Sequence, residues 1–187
     1  MTEIDPQQSE RIRQGDVFRD VEFFESAVEQ EGIIKISKIN FPLIVVLTQD
    51  CDLEGDYLRR HAENNKDQNK CLLSVIVAPL YNFEHFRLGQ HLTEINLTMM
   101  TFQKGHTPYK NIQDNQNPRY HYLEFPRGIG IIPFTVIDFK HYFTVTITYL
   151  ESIRSTNFIC KIQQLYREDI SQRFASFLSR IGLPSKS

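Results

Sequence analysis

No apolar run in this 187-residue chain approaches the roughly 20 residues that a membrane helix needs. Its first residues, Met-Thr-Glu-Ile-Asp-Pro-Gln-Gln, carry neither the basic stretch nor the apolar core of a secretion signal. Cysteine is scarce: Cys51, Cys71 and Cys160 are an odd number without framework spacing, which excludes a disulfide scaffold. Together these absences predict a soluble protein of a reducing cytoplasm, with no membrane association. Basic charge is also lacking, since 21 Lys and Arg face 23 Asp and Glu for a net charge of −2. Bulk DNA binding is therefore not expected, because a duplex is held mainly by a surplus of cations. There is no internal repeat, no low-complexity tract and no paired Cys or His spacing. Asp50, Cys51, Asp52 and one of His61 or His121 are zinc-donor types, yet nothing in their spacing makes a site, so neither metal nor cofactor is expected.

What the chain does have is an ordinary globular composition, 41% hydrophobic and 24% charged, and enough length for one domain over residues 1–187 with its own core. Its centre is residues 40–54. Leu43, Ile44, Val45, Val46 and Leu47 form a short, mostly β-branched run that predicts a strand buried on both faces. The run ends in Thr48, Gln49, Asp50, Cys51 and Asp52, a dense polar turn at the exit of a core strand. Asp50 and Asp52 flank Cys51 and disfavour its thiolate, so a thiol catalyst is not expected. Cys51 is read as a small buried plug, while Gln49, Asp50 and Asp52 satisfy the backbone of the turn close to Arg119 or His121.

Around this centre the pattern is mainly β. Gly15-Asp16 marks a turn beside a short strand, and Val21 to Ser26 and Ile33 to Ser37 read as a hairpin joined through Glu29-Gln30-Glu31-Gly32. Residues 54–70 have few apolar anchors and predict a mobile surface loop. Cys71 to Leu80 is a second buried strand, neighbour to the first and ended by Pro79. Residues 81–117 break the β rhythm and predict a helical insertion, with Thr107 as N-cap and Pro108 at the first helical position. Strands are expected again over Arg119 to Phe125, Ile131 to Phe139, Tyr142 to Tyr149 and Ser152 to Ile162. Residues 165–183 form an amphipathic helix on the stripe Ile170, Phe174, Phe177, Leu178 and Ile181, with Gly182, Leu183 and Pro184 as its stop.

Gly15-Asp16-Val17-Phe18, then Phe41 to Leu47 after its proline, then Leu73 to Pro79, resemble the MazF/PemK ribonuclease toxins. That resemblance implies a β-rich α+β fold built on a small SH3-like (PemK-like) barrel, here with a helical insertion and a C-terminal helix. The segments Thr48-Gln-Asp-Cys-Asp-Leu, Arg119-Tyr-His-Tyr-Leu and Tyr166 to Pro184 resemble a wider family of uncharacterised bacterial proteins. In the toxins a basic residue beside the proline before the buried strand, and a hydroxyl residue after the second strand, serve cleavage. Here those places read Asn40-Phe41-Pro42 and Pro79-Leu80. Without a cation for the phosphorane and a group to move a proton, phosphodiester cleavage loses its two main aids.

The candidate binding residues are thus Gln49, Asp50, Cys51, Asp52, Arg119 and His121. Strand alternation puts Arg119 and His121 on one face between Tyr120 and Tyr122, a composition suited to an anion or to a stacked base. The expected function is a non-enzymatic interaction module with a protein partner, and the resemblances imply an accessory role in a bacterial toxin, mobile-element or defence system. The alternative is a divergent endoribonuclease acting on single-stranded RNA through Arg119 and His121.

Overall fold

In the computed structural model, which describes residues 1–62 and 68–180, the chain is a mixed α+β protein dominated by an antiparallel sheet that curls into a half-barrel. The strands are β1 (Ile4–Asp5), β2 (Asp16–Gln30), β3 (Ile33–Val46), β4 (Ser74–Asn82), β5 (Tyr120–Glu124), β6 (Phe134–Asp138), β7 (Phe143–Thr146) and β8 (Phe158–Ile162). They run in the order β1-β8-β2-β3-β4-β6-β5, with β7 paired to β4 off this path. The helices are α1 (Asp50–Arg60), α2 (Phe83–Arg87), α3 (Thr107–Gln113), α4 (Ile147–Asn157) and α5 (Gln164–Leu178).

β3 is buried on both faces at its second half, and alternation explains how. Leu43, Val45 and Leu47 enter one core cluster with Ala78, Ile137, Phe139, Ile170 and Phe174, while Ile44 and Val46 enter another with Phe18, Leu53, Val77 and Leu150. The first cluster is covered by α5 and the second by α1 and α4. The two central runs are neighbours, with Ile44–Val46 paired against Val77–Pro79. A third, aromatic cluster of Tyr81, Phe83, Phe86, Phe102 and Tyr120 seats the insertion.

Two helices stand where other structure was expected. α1 occupies the polar turn and the first part of the 54–70 segment, which was read as a loop because only Leu53 anchors it. The anchor that reading missed is polar: Asp56 is buried, binds Arg60 one turn on at 2.7 Å and accepts the Leu72 amide at 2.6 Å. Asp50 and Asp52 in the first turn and Arg59 and Arg60 in the last suit the helix dipole. The remainder of that segment includes residues 63–67, which lie outside the described residues. Of the strands predicted over Tyr142 to Tyr149 and Ser152 to Ile162, β7 and β8 keep Phe143–Thr146 and Phe158–Ile162, and α4 takes the stretch between them. Thr146 caps it by accepting the Tyr149 amide, and Ile147, Leu150 and Ile153 recur at helical spacing toward the core.

The insertion over 81–117 is helical only in part, through α2, a single 3-10 turn at Thr93–Ile95 and α3. His106, not Thr107, holds the N-cap position of α3. α5 directs Ile170 and Phe174 into the core, but Leu178 is 49% exposed and does not belong to the buried face. Ile181, Gly182, Leu183 and Pro184 lie outside the described residues.

The first part of β2 and the last part of β3 serve the core; the rest of each projects. Beyond Phe18, β2 no longer pairs with β8, and before Ile44, β3 no longer pairs with β4. The two strands continue together to Gln30 and Ile33, a ribbon roughly 30 Å long by its rise per residue. Its turn residues Glu31 and Gly32 both have positive φ, 55° and 76°, the conformation that matches the twist of a two-residue hairpin. Phe24, Ile34 and Ile36 on this arm are exposed.

Candidate functional site

The residues singled out from sequence fall into two separate places. Asp50 opens α1 and is gripped by Arg11, whose guanidinium gives both nitrogens to the two carboxylate oxygens at 3.1 and 3.0 Å. The Gln14 amide adds a bond at 3.3 Å and Arg167 of α5 stands 3.9 Å away. Burial pushes the Asp50 pKa up, but Arg11 first and then Arg167 and Gln14 outweigh it, and the carboxyl sits below its usual range. Gln49, Cys51 and Asp52 are on the outer side of this turn. Cys51 is exposed, not a buried plug, because the turn became a helix start and rotated the thiol outward, 3.8 Å from Gln49 Oε1 and 3.9 Å from Asp52 Oδ1.

Arg119 and His121 do not meet this cluster. Arg119 makes a bidentate pair with Asp138, at 2.8 Å from Nε and 2.5 Å from Nη2. Asp138 is fully buried at the end of β6 and also accepts the Lys140 amide at 3.0 Å. The guanidinium lies 5.0 Å from the centre of the Tyr120 ring. His121 is buried, 2% exposed, beside Phe139, with Asp169 of α5 at 4.0 Å. Burial, and then the charge of Arg173, push its pKa down to about 3, so it is a neutral ring at physiological pH and a poor proton donor. Tyr120 and Tyr122 pack with the insertion and present no stacking face for a base.

A cavity lies elsewhere, in a place the sequence marked only for its prolines. β4 pairs with β3 as far as Pro79, then turns to pair with β6 over Leu80–Asn82. Pro79, opposite Ile44, is the last residue of the β3–β4 ladder, and Pro42 lies two residues beyond Ile44 on β3; neither has an amide to donate, and the strands part into a wedge. The wedge holds about 510 Å³ between Ile39–Leu43 on one side and Pro79–Asn82 on the other, and the insertion closes it with His85, His91 and Glu94. Among the described residues no lysine or arginine lines it.

The wall carries a polar chain of contacts. Tyr81 Oη is 3.1 Å from His141 Nδ1, and that nitrogen is 3.5 Å from Asp138 Oδ2, so Arg119, Asp138, His141 and Tyr81 are linked in series. His91 packs edge to face on Tyr81 at 4.6 Å between ring centres, and neither of its buried ring nitrogens has a hydrogen-bond partner among the described residues. Burial, then His141, lower the His91 pKa to about 4, while burial, then Asp138, raise that of Tyr81. Near neutral pH Tyr81 and His91 are therefore an uncharged phenol and an uncharged imidazole, able to exchange hydrogen bonds but not poised to transfer a proton. Sequence reading treated His85, His91 and His141 as scattered. The signal available was a proline in each of the two central strands, Pro42 and Pro79, each a local reason for a ladder to stop.

Among the described residues no group of three or more His, Cys, Asp or Glu side chains is arranged to hold a metal ion, and no helix is long and apolar enough to cross a membrane. The chain matches no family model and no curated protein.

Proposed function

We propose that this protein is a non-enzymatic binding module and that the wedge between β3 and β4 is its binding face. The observation that carries this reading is the character of the wall. A cavity of about 510 Å³ with largely apolar sides, polar groups that include Glu94, and an imidazole lacking partners is suited to hold a ligand. Meanwhile Arg119 and His121 are committed inside the fold. The proposal keeps the setting that the sequence resemblances imply, an accessory component of a bacterial toxin, mobile-element or defence system in the cytoplasm. It also keeps the kinship with the SH3-like toxin barrels, which is supported by the antiparallel succession β2, β3, β4 and by Gly15-Asp16 at the start of β2.

Thr93 lies exposed at the mouth of the wedge, so Thr93→Trp fills the cavity without touching the core. Selection of peptides from a random display library on the full chain should yield binders that Thr93→Trp rejects. Binders indifferent to Thr93→Trp would locate recognition elsewhere and overturn the proposal.

The endoribonuclease reading has one observation in its favour. Tyr81, His85 and His91 line the wedge beside Asn40-Phe41-Pro42 and Pro79-Leu80, the segments at which the resembled toxins carry their cleavage groups. Against it stands the lack of any cation in the wall, since phosphate recognition and phosphorane stabilisation both call for one.

A further inference from the structure

Every residue from Phe24 to Lys38 is exposed, so this length of the arm is two strands on their own, a form only marginally stable in water. Among the described residues the outer edge of β3 has no ladder from Ile33 to Leu43, and Ile33, Ile34 and Ile36 stand along it in solvent. The two-residue turn makes Gln30 and Ile33 a hydrogen-bonded pair, and alternation then turns the backbone groups of Ile34, Ile36 and Lys38 outward. Within the arm Ile36 lies opposite Ala27 and Lys38 opposite Phe24, which puts all five on one face. The outer edge of β2 is guarded instead, by Glu22, Glu25 and Glu29, like charges that resist a further strand.

The strand that fits the β3 edge is the same segment of a second copy, run antiparallel about a two-fold axis. Outward backbone groups must meet outward backbone groups, and this limits where the axis can pass. At Lys35 or Lys38 it sets lysine directly against lysine, and at Ser37 it matches Gly32 to Pro42, which has no amide to give. At Ile36 neither fault arises: Ile36 meets the partner's Ile36, and Ile34 meets the partner's Lys38 on the same face. On the other face Ile33 meets the partner's Ile39, and Lys35 meets the partner's Ser37. In the arm itself the Ser37 hydroxyl donates to Glu25 at 2.7 Å, so this register brings Lys35 beside the partner's Glu25. Lys35 is otherwise bonded, among the described residues, to the neutral Gln30, while Lys38 keeps its own ion pair with Glu22 and lays its stem on the partner's Ile34. We propose that two copies of this chain join through the β3 edges of their arms into a four-stranded antiparallel sheet centred on Ile36. The paired stretch stops at Asn40, which leaves wall residues 41–43 of the wedge to its ligand and makes the dimer independent of the wedge reading.

One strand edge per copy buries less than the roughly 800 Å² a side of a standard complex, so the dimer should form with rising concentration. Sedimentation velocity of the full chain from about 1 to 200 μM should show monomer passing to dimer and nothing larger. Ile36→Glu and Ile36→Lys change an exposed position and set like charges across the axis; each should keep the wild-type circular dichroism and stay monomeric. Their equimolar mixture, with opposite charges across the axis, should recover the dimer. In the wild type, amide exchange at Ile34, Ile36 and Lys38 should slow by about tenfold between the ends of the concentration range. A monomer at every concentration, leaving the arm to a different partner, overturns the inference. So does a species larger than a dimer, a dimer that survives Ile36→Glu, a mixture that fails to associate, or an association that leaves those three amides unprotected.

Discussion

Replacing Arg119 by alanine removes the guanidinium that holds Asp138, a carboxylate 1% exposed in its side chain. The two bonds at 2.8 and 2.5 Å vanish, leaving Asp138 with the Lys140 amide and the more distant His141 nitrogen. Breaking one side of a buried ion pair costs about 3–5 kcal/mol, because the remaining charge is stranded in a medium that solvates it poorly. Arg119 itself is 29% exposed in its side chain, which leaves water some access to the pair and puts the expected loss near the lower end, about 3 kcal/mol. For a domain of this size each kcal/mol shifts the melting temperature by roughly 2–4 °C, so Arg119→Ala should melt about 6–12 °C below wild type. Circular dichroism melts supply the measurement, and the Arg119→Ala/Asp138→Asn double substitution should recover part of the loss by removing the stranded charge. An unchanged melt with lost ligand binding would refute the reasoning, since it would make Arg119 a contact residue and not a brace.

Phe174→Ala in α5 removes a ring packed 5.5 Å from Phe139 and 5.3 Å from Tyr142, centre to centre, and should cost about 3–5 kcal/mol in urea unfolding with no change in sedimentation; an unaltered urea midpoint would count against the packing. Asp16 is buried with Oδ1 unpartnered, and its pKa is raised from 3.8 to about 7, chiefly by burial and despite the Arg13 amide bond. The folded state thus holds this proton more tightly than the unfolded state, so stability from this group is complete below about pH 4 and is lost as pH rises toward 7. Asp16→Asn should flatten that slope, and an unchanged slope would sink the assignment. Gly15→Ala should destabilise by at least roughly 1–2 kcal/mol, because φ is +82° there and a Cβ would stand 3.2 Å from the Ile162 carbonyl and 3.1 Å from Arg167 Cβ. A denaturation midpoint equal to wild type would show that the backbone relaxes freely.

The parts of this structure that could be read from sequence are those set by local apolar pattern. The run Leu43 to Leu47 announced a strand buried on both faces, and the hairpin followed from Glu31-Gly32 at its tip. What misled the reading was polar chemistry acting over distance. α1 has a single buried apolar side chain, Leu53, and is anchored by Asp56 through Arg60 and Leu72, a partner set that no period reveals. Thr144, Thr146 and Thr148 alternate like a strand, yet Thr146 is a helix cap, and strand and cap use the same residue type. The strand alternation that placed Arg119 and His121 on one face said nothing of what waits there: Asp138 for one, Phe139 and α5 for the other. The wedge escaped notice because it arises from two strands parting, and only their pairing shows that the ladder stops where Ile44 meets Pro79, two residues from Pro42.

The central claim is that the wedge binds without cutting, and single-turnover cleavage of a mixed single-stranded RNA by excess full-length protein tests it most directly. The account predicts no protein-dependent cuts on a denaturing gel, with the wild type indistinguishable from His85→Ala and His121→Ala. Defined cuts that disappear in either variant would contradict it and establish the enzyme.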